Sequence, residues 1–166
     1  MSQEKLGEAL GITFQQIRRA EQAADERRHH ENDRDDPHEL GALDFLELGR
    51  LLRALRRDGA RTAILSNGSP EMVTAAIRSA KLDTLIDDTF SVDAVKVFKT
   101  APETYRMVTD AWDAKPKKIV FVSSNRWDIA GACKFGFHPV WINRSGAPDE
   151  YAKYAPKRVI GSLDEL

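Results

Sequence analysis

Leucines recur at spacings of three and four after Pro37, a pattern that predicts one amphipathic helix. The stripe consists of Leu40, Leu43, Leu48, Leu51, Leu52 and Leu55. The segment "RRDG" follows it and puts Gly59 at the position of a C-terminal cap. Before Pro37 the chain is mostly polar, and short apolar stripes in "LGEAL" and "FQQI" predict two amphipathic helices within residues 1–36.

From residue 62 onward, short apolar runs alternate with amphipathic segments. The apolar runs predict strands at residues 62–67, 88–95, 118–124 and 138–143, and the segments between them predict helices at 68–80, 102–112 and 127–136. Ser69 is placed to cap the first of these helices, with Pro70 at its first position. Alternation with continuously apolar strands predicts an α/β fold, a Rossmann-type parallel sheet flanked by helices.

Composition excludes several classes of partner. The 166 residues are 42% hydrophobic, and 25 basic against 26 acidic side chains leave a net charge of -1, which provides no basic field for nucleic acid. Cys133 is the one cysteine, and no apolar run is long enough to span a bilayer or serve as a signal peptide. We therefore expect a soluble cytoplasmic protein with no nucleic-acid or membrane partner.

Polar side chains follow three of the predicted strands, in the loops "SNGSP", "VFKTAPETY" and "SSNRWD". Because the carboxyl ends of parallel strands meet at one edge of a sheet, these loops should form one crevice. Its hydroxyl, amide, ammonium and carboxylate groups suit a small anion. Other interpretations remain for single residues: Asp128 is equally suited to cap the helix that follows it, Lys99 could be a solvated lysine, and Trp127 a core residue.

The successive segments "AILSNGSPEM", "VFKTAPETY" and "FVSSNRWDIAGACKFGFHPVWINR" resemble the haloacid dehalogenase superfamily, and within it the L-2-haloacid dehalogenases. The resemblance covers roughly residues 50–145. It implies hydrolytic removal of halide from short L-2-haloalkanoic acids, without a metal or other cofactor. In that family an aspartate displaces the halide with inversion, and water hydrolyses the resulting ester.

The resemblance also assigns roles to residues of this chain. Four take catalytic roles: Lys99, Ser123, Asn125 and Asp128. Lys99 would offset the charge of the clustered carboxylates, Ser123 would orient the surroundings of the nucleophile, and Asn125 and Asp128 would orient or activate the hydrolytic water.

Four further residues would bind the substrate: Ser66, Asn67, Tyr105 and Trp127. Ser66 and Asn67 would hold the substrate carboxylate, and Tyr105 would donate a hydrogen bond within the site. Trp127 would form part of an apolar wall against the alkyl group of the substrate.

One part of the family pattern is missing. The Asp-x-Tyr-Gly-Thr strand that carries the nucleophile has no match, nor does the arginine that follows it. Asp44 is no substitute, because the leucines around it are spaced for a helix. The family sheet places the missing strand between the strands that end at Ser66 and Ser123, so both should lose a neighbour and expose an edge that invites association. A homodimer, common in the family, is one expected partner.

This departure leaves three accounts open: a truncated chain or mispredicted start, an inactive relative, or part of a site that another polypeptide completes. The sequence favours the first, with residues 1–45 as a remnant of the helical cap and 46–166 as the α/β core. Two other functions stay open as well. One is a Mg²⁺-dependent phosphatase of the same superfamily, and the other is a non-catalytic module that binds small anions.

Overall fold

The computed structural model describes the backbone of residues 38–166 and the side chains of residues 46–166. Its helices are α1 (His38–Arg57), α2 (Pro70–Ser79), α3 (Pro102–Trp112) and α4 (Arg126–Phe135). Its strands are β1 (Ala63–Ser66), β2 (Asp88–Ser91), β3 (Val120–Ser123), β4 (His138–Ile142) and β5 (Arg158–Ile160). The predicted alternation of strand and helix is confirmed.

The structure describes only part of the amino-terminal region for which the sequence makes predictions. The two helices expected within residues 1–36 lie outside the part of the chain that the structure describes. Helix α1 does contain the leucine stripe, and the backbone of Asp44 lies within it, as expected from the helical spacing. The predicted boundary between residues 45 and 46 falls inside this helix.

All strand pairs within residues 38–166 are parallel. In the first sheet β1 pairs with β2, with Ala63 opposite Asp88. In the second sheet β3 pairs with β4 and β4 with β5, so that Val120 lies opposite His138 and Val140 opposite Arg158. Strand β5 was not predicted. The predicted strand over 88–95 is too long, because the chain leaves β2 after Ser91 and forms a short 3₁₀ turn.

The two sheets share the same pair of apolar cores although no hydrogen-bonded ladder joins them. Ile64 of β1 and Val122 of β3 lie in one core cluster. Their chain neighbours Leu65 and Phe121 lie in the other, as the alternation of side chains along a strand requires. Within residues 38–166, β1 and β3 are therefore edge strands with no strand paired between them, as expected for the sheet without its central strand.

Local sequence signals explain where the helices that position the site begin and end. The Ser69 hydroxyl accepts a hydrogen bond from the Met72 N–H, and Pro70 is the first residue of α2, as predicted. Helix α4 ends at Gly136, whose φ of 104° is in the left-handed region that favours glycine. None of the helices in the described part of the chain is long and apolar enough to cross a membrane.

Gly131 lets helix α4 approach helix α3 closely. A Cβ atom at this position would lie 2.3 Å from the hydroxyl oxygen of Tyr105 and 2.8 Å from Cβ of Thr100. No ordinary van der Waals contact is that short, so any side chain here would push α4 away from Tyr105.

We expect Gly131→Ala to destabilise the protein by about 1–3 kcal/mol, the usual cost of overpacking a core. Chemical denaturation followed by circular dichroism measures the change. Gly49→Ala is the matched control, since its Cβ would meet only the mobile end of Arg53 at 3.3 Å and alanine favours a helix. Equal losses in both variants would refute the close-approach argument.

Candidate functional site

Lys99 joins the three predicted loops. Its Nζ donates to the main-chain oxygen of Leu65, at 2.6 Å, and to Oδ2 of Asp128, at 3.0 Å. Its main-chain N–H donates to Oδ1 of Asn67, at 3.0 Å. The loops after β1, β2 and β3 therefore open on one edge of the fold, as the sequence predicts.

Asp128 is the acceptor at the centre of the cluster. Its Oδ1 accepts from the Tyr105 hydroxyl at 2.9 Å, and its Oδ2 accepts from Lys99 and, at 3.5 Å, from the Ser123 hydroxyl. The Lys99 and Asp128 side chains are 2% and 0% exposed, so this is a fully buried ion pair. The alternative interpretation of Asp128 as a helix cap is wrong: Asn125 holds the N-cap position of α4, and Asp128 lies inside the helix.

Burial determines the protonation chemistry around this pair. Loss of water around the ammonium group lowers the pKa of Lys99, and the charge of Asp128 and its hydrogen bond offset only part of that shift. Burial raises the pKa of Tyr105, and the adjacent Asp128 carboxylate adds to the effect. Tyr105 consequently keeps its proton and acts as a donor.

The loop after β3 is held by main-chain contacts. The Ser123 hydroxyl accepts from the Asn125 N–H at 3.1 Å, which bends the chain toward the start of α4. Trp141, at the end of the neighbouring strand, donates from Nε1 to the Ser124 oxygen at 3.2 Å. Ser123 is buried and contacts the Asp128 carboxylate directly, whereas Asn125 is half-buried and accepts the Asp128 N–H through its main-chain oxygen at 3.1 Å.

The predicted substrate-binding residues are less tightly grouped. Ser66 is buried at the end of β1, where its hydroxyl accepts from the Gly68 N–H at 2.9 Å. Asn67 is exposed and contacts the cluster through the Lys99 main chain. Trp127 is half-buried, one residue before Asp128. Tyr105 contacts Asp128 directly, and the substrate-binding roles of all four residues stay predictions.

Sequence reasoning missed Arg126, which is 7% exposed. Its Nη2 donates to the main-chain oxygens of Tyr151 and Tyr154, at 2.8 and 3.0 Å. Its Nε forms a 2.7 Å ion pair with Asp149, and its guanidinium lies 5.6 Å from the ring centre of Trp141. Arg126 thereby fastens the segment before β5 to the first turn of the helix that carries Asp128. The one available signal was its place between Asn125 and Trp127 in the polar loop.

Among the residues that the structure describes, no three histidine, cysteine, aspartate or glutamate side chains group closely enough to hold an ion. The cation next to Asp128 among the described residues is the Lys99 ammonium.

We expect Lys99→Met to destabilise the protein by about 3–5 kcal/mol, because it leaves the Asp128 charge buried and unpaired. Adding Asp128→Asn in the same chain should recover part of that loss, since no buried charge then remains. Urea denaturation of both single variants and the double variant measures the coupling. Additive losses in the double variant would contradict a direct interaction of the two charges.

We also expect the ¹³Cε resonance of Lys99 to titrate below 10.5, its ordinary pKa. Between its lowered pKa and 10.5 the unfolded chain binds a proton that the folded chain does not. The contribution of Lys99 to the free energy of unfolding should therefore rise with pH across that window. An NMR titration measures the midpoint, and a midpoint at or above 10.5 would contradict the effect of burial on the pKa of Lys99.

Comparisons with known proteins agree with this geometry. The family model described as "haloacid dehalogenase-like hydrolase" matches residues 2–136. The (S)-2-haloacid dehalogenase 1 of Pseudomonas sp. (strain CBS-3) is 45% identical over 130 residues, which are 78% of this chain and 56% of that protein. The (S)-2-haloacid dehalogenase 4A of Burkholderia cepacia is 46% identical over 123 residues, 74% of this chain and 53% of that protein. The chain thus spans about half the length of these relatives.

Solved structures show the same fold. A dehalogenase crystal structure with an intermediate complex superimposes with a TM-score of 0.71 at 37% identity, over 87% of this chain and 66% of that one. The L-2-haloacid dehalogenase from Xanthobacter autotrophicus with chloropropionic acid covalently bound gives a TM-score of 0.71 at 21% identity, over 98% and 97% of the two chains, a likeness in fold alone. The resemblance inferred from the three polar loops is confirmed, and this chain belongs to the haloacid dehalogenase-like hydrolases.

Proposed function

We propose that this chain supplies much of the active site of a hydrolase that removes halide from short L-2-haloalkanoic acids. The observation that carries the proposal is the buried Lys99–Asp128 pair at the carboxyl ends of β1 and β3, with Tyr105 and Ser123 bound to it. The names of the two relatives, both (S)-2-haloacid dehalogenases, support the class of substrate.

The hydrogen-bonding capacity of Lys99 supports a further carboxylate in the site. An ammonium group has three donors, and those of Lys99 that are used by the described residues go to Leu65 and Asp128. One N–H therefore remains for another acceptor. A nucleophilic aspartate, on a strand between β1 and β3, would receive that hydrogen bond and stay ionised beside the cation.

The capacity of Asp128 supports a bound water. An ionised carboxylate has about four acceptor sites, and Tyr105, Lys99 and Ser123 occupy three of those on Asp128. The remaining site, with the side chain of Asn125 nearby on the same loop, would orient the water that hydrolyses the ester.

In the proposed reaction a carboxylate oxygen of the nucleophile attacks C2 of the substrate, and the carbon–halogen bond breaks with inversion. Water then attacks the ester carbonyl, which releases the 2-hydroxy acid and returns the carboxylate, with a proton passing to the base that activates the water. Ser66 and Asn67 would hold the substrate carboxylate, while Trp127 would contact its alkyl group. Residues 1–45 would belong to the cap and 46–166 to the core.

The remaining expectations are part of the same proposal. We propose a cytoplasmic protein that acts on a small carboxylate, without nucleic-acid or membrane partners and without a cofactor. The near balance of 25 basic and 26 acidic residues supports the absence of a polyanionic partner. The unpaired edges of β1 and β3 support association, with a homodimer as the proposed state.

The test is halide release from L-2-chloropropionate, measured for this chain and for a chimera. The chimera carries, at its amino end, the part of the Pseudomonas sp. (strain CBS-3) relative that precedes the matched segment. We expect release from the chimera and none from the 166-residue chain, because the nucleophile must be supplied. Lys99→Met in the chimera should lower the rate about a hundredfold or more, as loss of a preorganised charge does.

Asp44→Asn in the chimera is the matched control, because this aspartate lies on α1 and should leave the rate unchanged. Release by the 166-residue chain that is lost on Asp44→Asn would mean that the nucleophile is Asp44. If neither protein releases halide but the chain still binds L-2-chloropropionate, and Lys99→Met abolishes binding, the function is that of an anion-binding module.

A further inference from the structure

A cavity of about 820 Å³ lies between the last two turns of α1 and the carboxyl-terminal residues. It shares no lining residue with the Lys99–Asp128 cluster. Its volume is within the range of about 300–1,000 Å³ typical of sites for small molecules. One wall is formed by helix α1 and the other by the segment around Leu163 and Asp164.

The cavity is strongly positive although the whole chain carries a net charge of -1. Its charged lining residues are Arg50, Arg53, Arg56, Arg57 and Asp164. Four guanidinium groups against the Asp164 carboxylate and the terminal carboxylate of Leu166 give a formal charge of +2 within a single cavity. Its apolar surface comes from Leu51 and Ala54 on one side and from Leu163 and Leu166 on the other.

Most of this positive charge is available to a ligand. Arg50 pairs with Asp164 at 3.1 Å, but their side chains are 61% and 58% exposed, and such pairs are weak and readily exchanged. Arg56 donates to the main-chain oxygen of Thr84. Arg53 and Arg57 make no ion pair with any residue of 46–166.

The helix dipole explains the placement of only two of the four arginines that line the cavity. The negative end of the helix dipole favours Arg56 and Arg57 in the last turn, but this effect fades within one turn and does not reach Arg50 or Arg53. Arg53 and Arg57 are four residues apart on one face, where like charges repel by a few tenths of a kcal/mol. A bound anion would remove that repulsion.

We propose that this cavity binds a small organic phosphate, with the phosphate between Arg53 and Arg57 and its apolar or aromatic part against Leu51 and Leu163. Planar guanidinium groups bind phosphate oxygens in pairs. A phosphate monoester carries a charge of about -1.5 to -2 at pH 7, which balances a +2 site better than the single charge of a carboxylate does. The apolar walls select an esterified phosphate over the inorganic ion.

Isothermal titration calorimetry of the 166-residue chain with 1-naphthylmethylphosphonate tests the proposal, because this probe cannot be hydrolysed. We expect binding that the uncharged alcohol 1-naphthalenemethanol lacks and that inorganic phosphate shows more weakly. Arg53→Gln with Arg57→Gln in one chain should raise the Kd at least tenfold. The matched control is Arg78→Gln, an exposed arginine in the last turn of α2, which should leave the Kd unchanged.

Four outcomes would overturn the proposal: no binding at millimolar probe, an unchanged Kd in the double variant, equal affinity for naphthylacetate, or displacement of the probe by L-2-chloropropionate. The last would place the probe at the Lys99–Asp128 cluster. Because the assay requires no halide release, its result is independent of the proposed dehalogenase activity.

Discussion

The buried contact between Lys99 and Asp128 is the interaction on which the arrangement of the site depends. Two charges without solvent cost several kcal/mol each to bury, and they persist only when every neighbouring group satisfies them. Here the neighbours come from the ends of β1 and β3, from α3 and from α4. The pair therefore orders three loops that have few other polar contacts with one another.

The division of the strands into two sheets sets the second constraint. β1 and β3 both contribute to the same two apolar cores, yet within residues 38–166 their facing edges have no ladder partner. Unpaired main-chain groups next to a buried core favour pairing with another strand. The unpaired edges of β1 and β3 therefore support the proposal that the nucleophile lies on a strand between them.

The sequence predicted much of this because the chemistry is local. Polar residues directly follow the strands that end at Ser66 and Ser123. Parallel strands bring these residues to the same edge of the fold, independently of how the helices pack. The loop after the second predicted strand placed Lys99 and Tyr105 in the same crevice, and the resemblance to a family gave them their roles. Their contacts with Asp128 agree with that placement.

Other features depend on information that no local pattern contains. Strand β5 has only three residues, too few to show an alternation, and β4 supplies its pairing. The turn at Val92–Ala94 looks apolar enough to continue β2, but the Ser91 hydroxyl accepts from the Asp93 N–H and turns the chain. Arg126 acquires its role from carbonyl groups 25 and 28 residues away.

The bond from Lys99 to the Leu65 oxygen has a consequence for how this site tolerates sequence change. An interaction with a main-chain carbonyl does not depend on the side chain at that position, so residue 65 is free to vary among apolar types that fill its core cluster. Lys99 and Tyr105 each contact Asp128 through their side chains, so these three positions have no such freedom. Substitutions at these three positions should therefore covary among related sequences, while the residue at position 65 should vary independently of them.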